Sequence, residues 1–123
     1  MKLSLYAQYL QERTNRGILE IEDGFATFDY IDNYVYIIDL YVKPEKRNSH
    51  VASELADKIC EQALKDGKEF LLGSVDANAK GADISHKVLK AYGMVEYKVV
   101  EPMIFYVKPL KNVESQDKEE ING

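Results

Sequence analysis

The feature that most constrains this chain is a change of hydrophobic period near residue 50. Before it, the run Tyr34–Val42 is β-branched or aromatic at seven of nine positions and apolar on both faces, as expected of a central strand. After a polar loop over 43–49, apolar residues recur at helical spacing through residue 64. A second apolar run follows at Glu69–Asp76. Strand, long helix and strand together predict a right-handed parallel crossover.

The remaining elements follow from the same two periods and from the turn residues between them. A short amphipathic helix is predicted over 3–14 and another over about 83–92. Strands are predicted at 18–22, 25–31, 95–100 and 103–108, with Asp23-Gly24 as a hairpin turn. The long helix is expected to begin at Ser49 as N-cap and to end before Gly67. The predicted order is α-βββ-α-β-α-ββ, an α+β domain with a mixed, mostly antiparallel sheet.

The length of 123 residues is that of one domain, predicted over 1–110. Residues 111–123 hold two isolated apolar side chains among polar and charged ones, which predicts a disordered acidic tail. The first eight residues lack the pattern of a secretory signal, and no apolar run is long enough to span a membrane. A single cysteine excludes an intrachain disulfide and favours a reducing, cytoplasmic setting.

The charge balance and the motif content narrow the function classes. Acidic residues outnumber basic ones by 21 to 16, which argues against nucleic acid as the main partner. Two histidines and one cysteine without ligand spacing give no support to a metal site. Neither a phosphate-binding Walker loop nor a Gly-x-Ser-x-Gly elbow is present. Cys60 lies on the apolar stripe of the long helix and is expected to be a core residue.

The residues at the end of the central strand and in the loop after it resemble the motif of a known family. The segment Asp39-Leu40-Tyr41-Val42-Lys43-Pro44-Glu45-Lys46-Arg47 is similar to the strand and loop of the GCN5-related N-acetyltransferases (GNAT). That family has a leucine-any-valine strand end, a proline-acid pair, and Arg/Gln-x-x-Gly-x-Gly/Ala opening a long helix. It then has a strand, a loop asparagine and a short helix ending in Gly-Phe, which Asn78 and Gly93-Met94 resemble. The resemblance covers about residues 17–108, and the single N-terminal helix departs from the family's strand and two helices.

The resemblance implies acetyl transfer from acetyl-CoA, as co-substrate, to an amine of a small molecule or a protein. The backbone near Leu40 and Val42 would pair with the pantetheine arm. The pyrophosphate would lie against exposed N–H groups of the loop and of the helix N-terminus. The remaining residues implied in coenzyme binding are Arg47, Asn48, Ser49, His50, Val51, Ala52 and Asn78.

Two residues depart from the family's pattern. His50 stands where the family has its first glycine, and its imidazole would either block close approach of a phosphate or donate a hydrogen bond to one. Leu89 stands where many members have a tyrosine that protonates the departing thiolate. Tyr92, next to the helix-ending glycine, is expected to pack in the core instead.

Asp39 is the candidate catalytic residue. Strict alternation places it on one face with Val35, Ile37 and Tyr41, and a carboxylate in apolar surroundings takes up a proton more readily near neutral pH. It would then accept a proton from the incoming ammonium group, or else serve as a hydrogen-bonded structural residue. Glu20, Glu22 and Asp29 on the neighbouring strands line an amine-attracting mouth or form a solvated face.

Two functions from different classes therefore stand side by side. The first is an N-acetyltransferase that binds acetyl-CoA and an amine together. The second is a noncatalytic protein of the same fold that binds another protein through its tyrosine-rich sheet or its acidic surface. An exposed strand at the end of the sheet would also support a homodimer.

Overall fold

The computed structural model describes residues 4–14, 16–47 and 49–110. Its elements are α1 (Leu5–Thr14), β1 (Gly17–Ile21), β2 (Gly24–Ile31), β3 (Tyr34–Val42), α2 (Val51–Lys65), β4 (Phe70–Asp76), α3 (Ala82–Ala91), β5 (Val95–Val100) and β6 (Met103–Pro109), with a short 3-10 turn at Pro44–Lys46. This is the predicted element order. The predicted acidic tail lies outside the described residues, so the boundary at residue 110 stays a prediction.

The six strands form one sheet in the order β1-β2-β3-β4-β6-β5. The pair β3–β4 is parallel and joined through α2, as predicted, and the other four pairs are antiparallel. The hairpin turn between β1 and β2 is formed by Glu22 and Asp23, one residue earlier than predicted, because Gly24 already pairs with Ile21 as the first residue of β2. Gly24 is tightly packed, since a Cβ there would meet the carbonyl oxygen of Tyr41. The mixed, mostly antiparallel sheet is confirmed.

The core lies between the sheet and α2. Ala26, Val35 and Leu71 of the sheet are fully or almost fully buried and cluster with Ile59 and Ala63 of α2. These side chains define what we call the α2 face of the sheet. Residues one position along each strand point to the opposite side, which we call the α1 face.

The ends of α2 differ in how well they were predicted. Gly67 adopts φ of +87° just after the helix, as expected of a glycine stop. The predicted N-cap at Ser49 is wrong, because His50 occupies that position and the helix begins at Val51. The Ser49 hydroxyl instead donates to the carbonyl of Lys46, which draws it back toward the 3-10 turn. No helix among the described residues has the length and apolar character to cross a membrane.

Candidate functional site

The strands β3 and β4 separate partway along their length. They pair only at Tyr34, Val35 and Tyr36, whereas β3 continues to Val42 and β4 to Asp76. On its other edge β3 stays paired with β2 up to Val42, through a bulge at which Thr27 pairs with Asp39 and Phe28 with Ile37. Ile38 is therefore the extra residue of the bulge, and bulges bend a strand and increase its twist. The result is a wedge-shaped opening between the carboxyl ends of β3 and β4.

The backbone of β3 presents hydrogen-bonding groups to this opening. The N–H of Lys43 donates to the carbonyl of Asp23, so the backbone of residue 43 faces the β1–β2 side. Backbone groups alternate along a strand, and those of Val42 and Leu40 therefore face the opening. These are the two residues predicted to pair with a pantetheine arm.

The N-terminus of α2 lies at the same end of the sheet, because a short loop joins it to β3. The first intrahelical bond runs from Glu54 N–H to the carbonyl of His50. The N–H groups of Val51, Ala52 and Ser53 precede that bond and have no partner within the helix. They carry the positive end of the helix dipole, which attracts anions, while the Glu54 carboxylate in the same turn opposes them.

Arg47 folds back onto the end of β3. Its Nε donates to the carbonyl of Val42 at 2.8 Å, and its guanidinium carbon lies 5.3 Å from the centroid of the Tyr41 ring. The side chain is exposed, so its charge remains accessible beside the opening. One backbone acceptor of Val42 is thereby already used, which leaves the Leu40 groups and the Val42 N–H facing the opening.

The other residues predicted to bind the coenzyme in this loop differ in exposure. The His50 side chain is exposed, and its φ of −94° is one that any residue adopts, so this position does not require glycine for its backbone. Val51 is buried against Val42, and Ala52 packs on the same small cluster, so only their backbone can face a ligand. Asn48 lies outside the described residues.

Asn78 lies in the turn that follows β4. Its backbone N–H donates to the Asp76 carboxylate at 2.9 Å, and its side chain is exposed. The carboxyl ends of parallel strands meet at one edge of a sheet, so Asn78 lies at the same edge as the end of β3. The structure thus brings β3, the start of α2 and Asn78 to one side of the molecule.

Asp39 was predicted to share a face of the sheet with Val35, Ile37 and Tyr41. The prediction is wrong for Val35 and Ile37. The bulge at Ile38 inserts one residue, and this moves Asp39 from the side of Val35 and Ile37 to the α1 face. There it pairs with Thr27, whose hydroxyl donates to its carboxylate at 2.9 Å. The Asp39 side chain is exposed rather than enclosed by apolar groups.

Asp39 lines a cavity of about 420 Å³ between α1 and the sheet. Other residues around it are Tyr6, Leu10, Thr14, Arg16, Gly17, Ile18, Phe25, Thr27, Leu40 and Tyr41. The helix α1 is held over the sheet by Ser4, whose N–H and hydroxyl both donate to the Glu20 carboxylate, at 3.0 and 2.9 Å. The cavity therefore lies next to the opening between β3 and β4, since Leu40 lines the cavity and its backbone faces the opening.

The other acids predicted near an amine site separate into two places. Glu20 and Glu22 line a second cavity of about 570 Å³ together with Asp23. The stacked rings of Phe25 and Tyr41, with centroids 5.6 Å apart, line both cavities. Asp29 lines neither cavity, but it forms a 3.9 Å ion pair with Arg16, which lines the first one.

Tyr92, Leu89 and Cys60 take the packing roles expected of them. Tyr92 is half-buried against the core, its hydroxyl donates to Asp57, and burial together with this bond raises its pKa. Leu89 also packs on the core. Burial raises the pKa of the Cys60 thiol, so the thiolate that a nucleophile needs is disfavoured.

Sequence reasoning missed three hydroxyl groups near the opening. Thr27 anchors Asp39, and the hydroxyls of Tyr36 and Ser74 lie 2.7 Å apart. These contacts join residues 12 and 38 positions apart, and no local pattern marks such a pair. Among the described residues, no group of three or more His, Cys, Asp or Glu side chains is arranged to hold a metal ion.

Comparisons with known proteins agree with this geometry. The model of the acetyltransferase (GNAT) family matches residues 5–91. Thialysine N-epsilon-acetyltransferase from Sus scrofa is 38% identical over 63 residues, which cover 50% of this chain and 36% of that protein. The chain thus spans about a third of the length of this curated relative.

Solved structures share the fold at low identity. PaiA N-acetyltransferase from Thermoplasma acidophilum, in complex with coenzyme A, superposes with a TM-score of 0.69 at 17% identity, covering 85% of this chain and 69% of that one. An acetyltransferase of the GNAT family from Staphylococcus aureus Mu50 gives 0.63 at 17% identity, covering 90% and 82%. With the family model matching well over half of its residues, this chain belongs to the acetyltransferase (GNAT) family.

Proposed function

We propose that this protein is an N-acetyltransferase that transfers the acetyl group of acetyl-CoA to an amine. The observation that carries the proposal is the opening between β3 and β4, which leaves the backbone groups of Leu40 and the N–H of Val42 available to an added strand-like ligand. A related fold has been solved with coenzyme A bound. The same opening in this chain leads from the start of α2 to the cavity beside Asp39.

Coenzyme binding would combine three groups of this chain. The pantetheine amides hydrogen-bond to the backbone of Leu40 and Val42. The pyrophosphate lies against the loop at Arg47, Asn48, Ser49 and His50 and against the first N–H groups of α2, at Val51 and Ala52. Here the helix dipole and the Arg47 charge favour an anion, and the Glu54 carboxylate opposes it. Asn78 contacts the coenzyme from the end of β4.

The acceptor amine would occupy the cavity between α1 and the sheet. Asp39 attracts the ammonium group and accepts its proton, and Thr27 holds the carboxylate in place. The neutral amine then attacks the thioester carbonyl, a carbon–nitrogen bond forms, and the carbon–sulfur bond breaks to release coenzyme A. Both substrates are bound together, so the acetyl group passes directly between them.

A thermal-shift titration with acetyl-CoA and with coenzyme A tests the proposal. A ligand that binds the native state at 100 times its Kd stabilises it by about 2.7 kcal/mol. For a domain of this size the Tm then rises on the order of 10 °C. Absence of any shift at millimolar ligand would contradict the proposal. Coenzyme A release with a panel of primary amines then measures turnover.

A second function, binding of another protein, is favoured by the edge strand β5. Each of its six residues is exposed, including Val95, Tyr97 and Val99, which are more than half exposed. An apolar edge strand of this kind suits pairing with another chain, and a second copy of this protein is the simplest partner. Sedimentation velocity tests the homodimer at a protein concentration of about 100 µM, roughly the dissociation constant of a weak dimer. A result that shows only monomer would contradict the homodimer.

The cytoplasm stays our prediction for the location of this protein. It rests on the single cysteine, which allows no intrachain disulfide, and on the half-buried position of that residue. Fluorescence imaging of the tagged full-length protein in its own cells would test it.

A further inference from the structure

Two hydroxyl groups lie at the base of the opening between β3 and β4. Tyr36 is the last β3 residue paired with β4, and its partner there is Leu72. Ser74 is two residues further along β4, beyond the last pair. The Tyr36 and Ser74 hydroxyl oxygens are 2.7 Å apart, so the Tyr36 ring crosses from one strand to the other where they separate.

Both hydroxyls lie on the same face as Asp39. Leu71 and Val75 point into the core on the α2 face, so Ser74 between them points to the α1 face. Tyr36 alternates in the same way with its buried neighbour Val35. Since the bulge brings Asp39 to the α1 face as well, the carboxylate and the two hydroxyls share one face, with the hydroxyls where the strands separate and Asp39 further along β3.

Neither Leu89 nor Tyr92, both packed on the α2 face, is suited to protonate a leaving group. Leu89 has a hydrocarbon side chain, and the Tyr92 hydroxyl is engaged by Asp57. Burial raises the pKa of Tyr92, and the hydroxyl is held against α2 rather than directed at the opening. By contrast, Tyr36 and Ser74 are only half-buried, and their bond spans the opening itself.

The geometry points to Tyr36 as the acid that protonates the departing thiolate of coenzyme A, with Ser74 as its positioning residue. This inference rests on the proposed function. As the carbon–sulfur bond breaks, its electron pair stays on sulfur and the Tyr36 O–H proton moves to that sulfur. Ser74 donates a hydrogen bond to the resulting phenolate, which regains a proton from solvent. Asp39 passes the first ammonium proton to solvent before the attack and takes the second from the nitrogen as the tetrahedral intermediate collapses. One of these two protons offsets the proton that Tyr36 regains and the other is released, so the products are a neutral amide and a thiol.

The test compares Tyr36→Phe and Ser74→Ala with Tyr34→Phe as a matched control. Tyr34 lies on the same strand and face but packs on Phe70 away from the opening, so its variant also loses one hydroxyl. For Tyr36→Phe we expect kcat with acetyl-CoA to fall about 10- to 100-fold, and for Ser74→Ala about 3- to 10-fold. The Kd for coenzyme A should stay within about twofold in both, because ground-state binding is not altered.

A second acetyl donor separates an acid from a structural contact. The thiolate of 4-nitrothiophenyl acetate leaves without needing a proton, so Tyr36→Phe should use this donor within about twofold of the wild-type rate. Equal losses with both donors, or a loss shared by Tyr34→Phe, would overturn the inference. So would an unchanged kcat with acetyl-CoA.

A crystal structure with coenzyme A bound gives an independent test that needs no amine. The Tyr36 hydroxyl should lie within about 3.5 Å of the sulfur, the reach of a hydrogen bond to this atom. A sulfur bound in the opening but beyond about 6 Å from Tyr36 would overturn the assignment while leaving acetyl transfer intact. Failure of the wild-type protein to bind coenzyme A would instead reject the proposed function, and the role of Tyr36 with it.

Discussion

The Thr27 hydroxyl donates a 2.9 Å hydrogen bond to the Asp39 carboxylate across two paired strands. Thr27 is only 4% exposed, whereas Asp39 is open to the cavity under α1. A buried, immobile donor therefore fixes the orientation of an accessible acid. This arrangement suits a group that must meet an incoming ammonium in one geometry.

Thr27→Val should weaken the reaction without unfolding the protein. Valine has nearly the shape of threonine, and the exposed Asp39 remains hydrated when its partner is lost. We expect kcat/KM for the amine to fall about tenfold, the worth of one hydrogen bond to a charged group. Steady-state kinetics measure this, and an unchanged kcat/KM with an unchanged Tm would show that Thr27 does not position Asp39.

Asp39→Asn should lower turnover at constant coenzyme affinity. The amide cannot take a proton from the ammonium, so we expect kcat to fall about 100-fold. Calorimetry with coenzyme A should give the wild-type Kd. Asp32→Asn is the matched control, because Asp32 lies in the turn between β2 and β3 and lines neither cavity. Full turnover by the Asp39 variant would remove this carboxylate from the mechanism.

His50→Gly should weaken coenzyme binding. The imidazole is exposed at the N-cap of α2, so it is free to turn toward a phosphate rather than fill the loop. We expect Kd to rise about tenfold, as for the loss of one hydrogen bond to a charged group. Isothermal calorimetry gives the result directly. A lower Kd would mean that the imidazole obstructs the phosphate, the other alternative open from the sequence.

Leu55→Ala should cost both stability and coenzyme affinity. Leu55 is fully buried and packs with Val42 and Val51, so it joins the end of β3 to the start of α2. We expect a loss of about 3 kcal/mol in the free energy of unfolding, measured in urea. Leu64→Ala on the same helix is the control, because Leu64 is 49% exposed and should lose less than about 0.5 kcal/mol. Similar losses in both would contradict the packing described.

Tyr30→Phe should change the pH dependence of stability. The Tyr30 hydroxyl donates to Asp66 at the end of α2. Burial, and then this bond, raise the pKa of Tyr30 to about 12, while the same bond lowers the pKa of Asp66 below its ordinary 3.8.

The signs of the two effects differ. The Tyr30 contribution is complete below about pH 10 and is lost as the pH rises toward 12. The Asp66 contribution is present above about pH 4 and is lost as the pH falls through its lowered pKa. Urea unfolding from pH 3 to 11 should show smaller losses at both ends in Tyr30→Phe than in the wild type. Some loss remains in the variant, because the pKa values of Tyr34, Tyr92 and Tyr106 are also raised and Asp66 keeps its bond to Gln62. Tyr9→Phe, on α1, should behave as the wild type does, and parallel curves for all three proteins would contradict the prediction.

The sequence by itself determined the element order, and it predicted where a coenzyme would bind. The helical stripe of α2 and the β-prone run of β3 are local patterns that neighbouring residues impose, and the parallel crossover follows from their order. The family resemblance implied coenzyme binding near Leu40, Val42 and Arg47, and this stays a prediction.

Only the tertiary structure decided which side chains meet near the opening between β3 and β4. A strand's alternation assigns faces correctly until a bulge inserts one residue, and the bulge at Ile38 depends on how β3 pairs with β2. The face of Asp39 and its bond to Thr27 could therefore not be derived from local spacing. The Tyr36–Ser74 contact likewise requires β3 and β4 to pair and then separate, because it joins residues that are distant in the chain and adjacent only in the folded sheet.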